Sequence, residues 1–239
     1  MGKYIPHSYS GRADNLVFVH TARGTYMRSR PSKFPHTTGT KTAAAIFGQA
    51  SSIGATLRSG LLPGLSLESY NGFQNRLTTA IAAWLRSHPA PGEIKPVEKI
   101  QELLEVAYNE KGRTIDSLWK IKRIVSIAEP GILEIIFPVF NPLKNLSVAP
   151  HTTAVSFSMA AVSCGLNAKH HGQAAVEFSF DYTDQNIEER IIRLELAMPV
   201  GSLLVVAASL KCMAPRYNRL AQISPKIYGP ASIISAMYQ

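Results

Sequence analysis

Eight cations stand in the first 64 residues: Lys3, Arg12, Arg23, Arg28, Arg30, Lys33, Lys41 and Arg58, against the single acid Asp14. They supply +7 of the chain's net +9. Arginine carries a planar fork of donors that fits phosphate or carboxylate oxygens two at a time. On an extended strand side chains alternate, so Tyr26, Arg28 and Arg30 fall on one face. Two guanidinium groups beside a tyrosine ring can straddle phosphates or stack on bases. The same groups can meet carboxylates of another subunit. The candidate polyanion- or partner-binding set is therefore Arg23, Tyr26, Arg28, Arg30, Lys33, Lys41 and Arg58.

Other chemistry-bearing residues are few. His170 and His171 lie in Asn167-Ala-Lys-His-His-Gly-Gln, which reads as a hairpin turn flanked by lysine, with no further ligands to complete a metal site. Asp181, Asp184, Glu188 and Glu189 cluster in what reads as a solvated acidic loop, or as the complement of a basic patch on a neighbouring copy. Cys164 and Cys212 are the only cysteines and are expected to be buried free thiols; two alone cannot form a zinc site. No Gly-x-Gly-x-x-Gly, Walker loop or Gly-x-Ser-x-Gly elbow occurs. With no visible set of acid, base and nucleophile, the expectation is a protein that is not an enzyme and uses no cofactor.

The elements that must carry the basic residues can be read from pattern. Leu16-Val-Phe-Val, a turn at Thr21–Gly24 and a return strand Thr25–Arg30 form a hairpin. Pro31 and Pro35 then deny the chain ladder bonds, so 31–39 is an extended arm. A helix from about Thr40 to Ser59 follows, capped by Thr40 and closed by Gly60, with Ile46, Ala50, Ile53 and Leu57 on one stripe and Ala43, Phe47 and Gly54 on another. A second helix runs from about Ser69 to Ser87 on Phe73, Leu77, Ile81 and Trp84, and a third from about Pro96 to Asn109 on Ile100, Leu103, Leu104 and Ala107. Beyond residue 115 short β-rich runs dominate: 132–137, 154–163, 174–180, 190–196, 202–212 and 231–238, separated by Gly, Pro, Asn and His clusters. Residues 115–125 fit either a short helix or a first strand.

The chain is 46% hydrophobic but only 17% charged, so it has ample core material and a charge-poor surface that invites covering. Its basic balance favours polyanionic or acidic partners. Met1 to Ser8 hold no apolar run, and no stretch approaches a membrane span, so neither signal peptide nor span is expected and the compartment is expected to be the cytoplasm.

Asn15-Leu-Val-Phe-Val, Gly24-Thr-Tyr-Met-Arg-Ser-Arg-Pro and Phe47-Gly-Gln-Ala-Ser-Ser-Ile-Gly-Ala-Thr-Leu-Arg58 resemble the N-terminal pattern of uncharacterised proteins from Bacteroidetes bacteria. So do Gln74-Asn-Arg-Leu77, Phe140-Asn-Pro and Ala149-Pro-His-Thr-Thr153. Those proteins carry no established activity, so the resemblance implies an architecture only: a basic hairpin with helices, then a β-sandwich.

The fold class expected is α+β: an N-terminal β-hairpin and arm (1–37), a helical region of about three helices (38–112), and an antiparallel β-sandwich, Ig-like or jelly-roll-like (113–239). The function expected is structural self-assembly into a filament, ring or lattice through the arm, with copies of itself as partners. The alternative is a nucleic-acid or polyanion binder using the same arm.

Overall fold

A computed structural model describes residues 3–5, 8–13, 16–21, 24–29, 35–65, 72–88, 98–104, 106–108, 114–121, 123–217, 219–223 and 230–239. The chain divides into two compact units, Met1–Thr42 and Ala43–Gln239.

In the first unit four strands form an antiparallel meander in chain order: β1 (Lys3–Ile5), β2 (Ser8–Ala13), β3 (Leu16–Thr21) and β4 (Gly24–Ser29). The expected hairpin is present as β3–β4, with pairing from Leu16 opposite Ser29 to Thr21 opposite Gly24. Strands β1 and β2 extend it into a sheet. That extension was not legible because Pro6 and the Ser-rich segment around it break the apolar alternation that marks a strand.

Helix α1 (Thr38–Gly64) begins in the first unit and ends in the second. Thr37, not Thr40, caps it: the Thr37 Oγ1 accepts from the Thr40 N–H at 3.2 Å. Gly60 does not end the helix, which continues one turn further to Gly64. Helix α2 (Phe73–Ser87) opens at Gly72, whose φ of 97° only glycine adopts without strain.

The expected third helix over 96–109 is replaced, where the chain is described, by a short strand β5 (Glu98–Lys99) and a 3-10 turn at Gln101–Leu103. The cause is tertiary. This segment runs along the edge strand β13 (Ala231–Tyr238), where the Ile100 N–H donates to Ala236 O at 2.9 Å and the Tyr108 N–H to Ala231 O at 2.8 Å. An edge that would otherwise be buried with open backbone groups outweighs helical periodicity.

Residues 115–125 prove to be both things: a one-turn helix α3 (Ile115–Leu118), then β6 (Ile124–Glu129). Pro130-Gly131 turns the chain, with Gly131 at φ 85°, into β7 (Ile132–Phe137). A short helix α4 (Pro142–Asn145) precedes β8 (Ala154–Gly165), β9 (His170–Asp181), β10 (Arg190–Glu195), β11 (Ser202–Arg216) and β12 (Arg219–Gln222).

These strands make two antiparallel sheets. One has the order β10-β7-β6; the other has the order β5-β13-β11-β8-β9, with β12 on the end of β11. Ala160, Val162 and Cys164 of β8 and Leu203, Val205 and Ala207 of β11 pack with the helices. Val155, Phe157, Met159 and Ala161, with Leu204, Val206, Ala208 and Leu210, pack with the three-stranded sheet. The second unit is therefore a β-sandwich with a helical layer on the outer face of its larger sheet. Strand β8 and residues 202–210 of β11 are buried on both faces, which is why their sequences are built of apolar residues and small serines rather than alternating with charged ones.

An aromatic cluster fills the sandwich. Trp119 meets Phe157 edge-on at 4.5 Å and stacks on Phe137 at 5.3 Å, and Phe178 lies 5.3 Å from Phe157. No helix among the described residues is long and apolar enough to cross a membrane.

Candidate docking surface

No described side chain before Ala50 is buried. In β4 every residue is exposed, with Tyr26 at 51% and Met27 at 56%. Because strand residues alternate, these two stand on opposite faces. Val19 lies across from Tyr26, Val17 across from Arg28, and Phe18 across from Met27. One face thus carries Val17, Val19, Tyr26 and Arg28, and the other Leu16, Phe18 and Met27. Both are part apolar. Val17, Phe18 and Val19 are only half-buried, so this hairpin has no core of its own making among the described residues.

Helix α1 shows the same imbalance. Thr38 to Ala45 are all exposed, a length of about 12 Å. Phe47, which its spacing placed on a second apolar stripe, is 59% exposed. From Ile46 onward the helix is fixed to the second unit. The Gln49 side chain donates to Leu166 O at 3.0 Å, the Thr56 hydroxyl to Ala168 O at 2.9 Å, and the Ser209 hydroxyl of β11 to Leu65 O at 3.2 Å. Ala50, Ile53, Leu57 and Leu61 are wholly buried.

Two glycines set how closely the helix approaches the sheet. A Cβ at Gly60 would lie 2.6 Å from a methyl of Val162, and one at Gly64 would lie 2.7 Å from the Ala175 Cβ and 2.8 Å from the Ala160 Cβ. Gly60, expected as a terminator, is there for proximity.

Of the residues singled out from the sequence, Tyr26 and Arg28 share one open face of β4, and Lys41 is exposed in the first turn of α1. Arg23, Arg30 and Lys33 lie outside the described residues. Arg58 belongs to the second unit, where its Nη1 donates to the Gln74 Oε1 and links α1 to α2. The first turn of α1 holds no acid to offset Lys41.

In the second unit Asp181, the last residue of β9, and Asp184, Glu188 and Glu189 beyond it are exposed. Asp184 is also a structural partner, accepting twice from the Asn141 side-chain amide at 3.0 Å. His170 and His171 are the first residues of β9, just past the turn, and among the described residues no group of three or more His, Cys, Asp or Glu could hold a metal ion.

Cys164 and Cys212 are free and buried. Burial pushes the Cys164 thiol up to about 12. Burial also raises Cys212, against the lowering effect of hydrogen bonds with the Ala149 backbone and the Thr152 side chain. They sit in the two different cores, Cys164 with the helices and Cys212 with the aromatic cluster.

Comparison with protein families, with curated proteins and with solved structures finds no match to this chain.

Proposed function

We propose that this is a non-enzymatic structural protein that assembles with copies of itself through its N-terminal unit. The observation that carries the reading is that no described side chain before Ala50 is buried, although the β3–β4 hairpin is part apolar on both faces. An isolated hairpin is at best marginally stable in water, and a sheet gains independent stability only by covering an apolar face. A second copy supplies that cover. The surface charges fit a head-to-tail contact: the basic N-terminal segment of one copy against the acidic residues Asp181, Glu188 and Glu189 of the next. Such a heterologous contact closes into a ring or runs on as a filament.

The test is removal of residues 1–37, followed by circular dichroism, sizing and negative-stain microscopy. The expected result is a folded, strand-rich body that no longer assembles. A truncated protein that assembles with unchanged geometry, or a full-length chain that stays monomeric at tens of micromolar, would sink the proposal.

A second reading rests on Tyr26 and Arg28 standing together on an open strand face. It makes that face a polyanion surface and takes nucleic acid as the partner. It requires affinity that falls steeply with salt, with a shallower slope in Arg28→Ala. Binding indifferent to salt and to this change would remove it.

A further inference from the structure

The smaller sheet of the sandwich breaks the usual division of an antiparallel sheet into an apolar inner face and a polar outer one. Leu133, Ile135 and Phe137 of β7, with Ile192 and Leu194 of β10, are buried in the core shared with the larger sheet. The residues that alternate with them face outward. There Ile191 stands opposite Ile136, and Ile136 opposite Ile124, so three isoleucines form one row across all three strands. Ile191 is 51% exposed and Ile124 is 55% exposed, while Ile136 is only partly buried. The larger sheet has a helical layer over its outer face. No described element of the second unit covers this one.

Carboxylates lie on both sides of the isoleucine row. At one end Glu188 and Glu189, both exposed, lead directly into β10. At the other end Glu195 and Glu129, also exposed, stand on either side of Ile132. Between them Arg193 is opposite Glu134, and its Nε donates to the Glu134 Oε2 at 3.0 Å. The face is therefore apolar in one row, acid-rich around it, and its arginine is already engaged. Two copies of this face laid on each other would set glutamate against glutamate, so it does not suit itself.

We propose that this face is the dock for the N-terminal sheet of a second copy; the inference rests on the self-assembly reading and names the surface that receives the basic unit. Two properties match. The first is charge: Met1–Thr42 hold seven Lys and Arg residues against the single acid Asp14. The second is form. Strands β3 and β4 are six residues long, as are β6, β7 and β10, so hairpin and sheet are both about 20 Å in length. The hairpin brings apolar side chains that its own chain leaves uncovered, and the sheet brings a row of isoleucines in the same condition. Packed face to face at about 10 Å, each buries the other. The smaller sheet then gains an outer layer from a neighbour, as the larger sheet has one from its own helices.

The experiment is sedimentation velocity over a concentration series, on full-length chains. One variant, Ile124→Lys with Ile191→Lys, removes two half-exposed apolar side chains and puts cations where a basic unit must dock. The other, Met27→Asp with Arg28→Asp, spoils both faces of β4. Each is first checked for an unchanged thermal midpoint of the second unit; if lysine lowers it, Ile124→Ser with Ile191→Ser takes its place. Each variant alone should associate about tenfold or more weakly than the parent. Mixed in equal amounts they should form a one-to-one complex that grows no further, because the first keeps a working N-terminal unit and the second a working dock. If the isoleucine variant assembles in the parent's range while the β4 variant does not, the dock is overturned and self-assembly through the N-terminal unit stands. If both are impaired but the mixture stays monomeric, the face meets something other than the N-terminal unit, and the inference is again overturned. A monomeric parent, or a β4 variant that assembles normally, would remove the self-assembly reading itself and this inference with it.

Discussion

Replacing Gly64 by alanine puts a methyl group 2.7 Å from the Cβ of Ala175 and 2.8 Å from the Cβ of Ala160. Carbon atoms in favourable contact sit about 3.5–4.0 Å apart. Both neighbours are fixed to strands β9 and β8 and have no rotamer by which to withdraw, so the helix itself must lift by about 1 Å. That lift loosens Leu57, Leu61 and Leu65, all wholly buried. Overpacking of this kind costs about 1–3 kcal/mol. Alanine returns up to about 1 kcal/mol through helix propensity, less in a last turn. The net expectation is a loss of about 1–2 kcal/mol, or a midpoint lowered by roughly 2–8 °C for a domain of this size.

Gly48 provides the internal control. It lies in the same helix, is exposed, and a Cβ there meets nothing within 4 Å. Gly48→Ala should stabilise by about 0.5–1 kcal/mol. Urea denaturation followed by tryptophan fluorescence reads both, since Trp84 and Trp119 are both in the second unit. Opposite signs for the two substitutions are the expected result. A Gly64→Ala protein as stable as the parent, or more so, would refute the close approach of α1 to the sheet.

Two further outcomes follow from the cores. Phe157→Ala empties the centre of the aromatic cluster and should cost about 3–5 kcal/mol in guanidinium unfolding; a loss below about 1 kcal/mol would show that the cluster is not a packed core. Cys164 should make stability fall with rising pH: its folded thiol is raised from 9.0 to about 12, so the stability present below pH 9 is lost as the pH climbs through that window, and Cys164→Ala should flatten that part of the profile.

The sandwich was readable because its strands carry strong local signals. The runs at 132–137 and 231–238 match β7 and β13 residue for residue. Strand β9 is longer than its apolar core predicted, since the segment His170-His-Gly-Gln173, with no apolar side chain of its own, is recruited by pairing with β8. What failed to show was what depends on distant partners. The segment around Ile100 has helical spacing and becomes an edge because β13 needs one. Gly60 carries a terminator's sequence signature and serves instead as a contact with Val162, sequence-distant and invisible to a local reading. Arg123 escaped notice for a similar reason. In Trp119-Lys-Ile-Lys-Arg123 it looks like one more surface cation, and only the packing of α3 and β6 buries it.

The exposed N-terminal unit has a thermodynamic consequence. Ordering a residue's backbone costs about 1–2 kcal/mol, and the described part of this sheet recovers little of that by burial. If a neighbouring copy supplies the missing cover, then folding of β3 and β4 is linked to association and strengthens with protein concentration by mass action. The second unit, with its own two cores, has no such dependence. Amide exchange at Val17, Phe18, Val19 and Met27 should therefore slow as concentration rises through the association range, while exchange in β8 and β11 stays constant. Met27→Ser removes apolar surface that the chain itself leaves 56% exposed, so it should leave the melting of the second unit unchanged and move that range to higher concentration. Exchange in β3 and β4 that is slow and independent of concentration would mean that the hairpin is stable alone, and the argument for a self-assembling chain would lose its foundation.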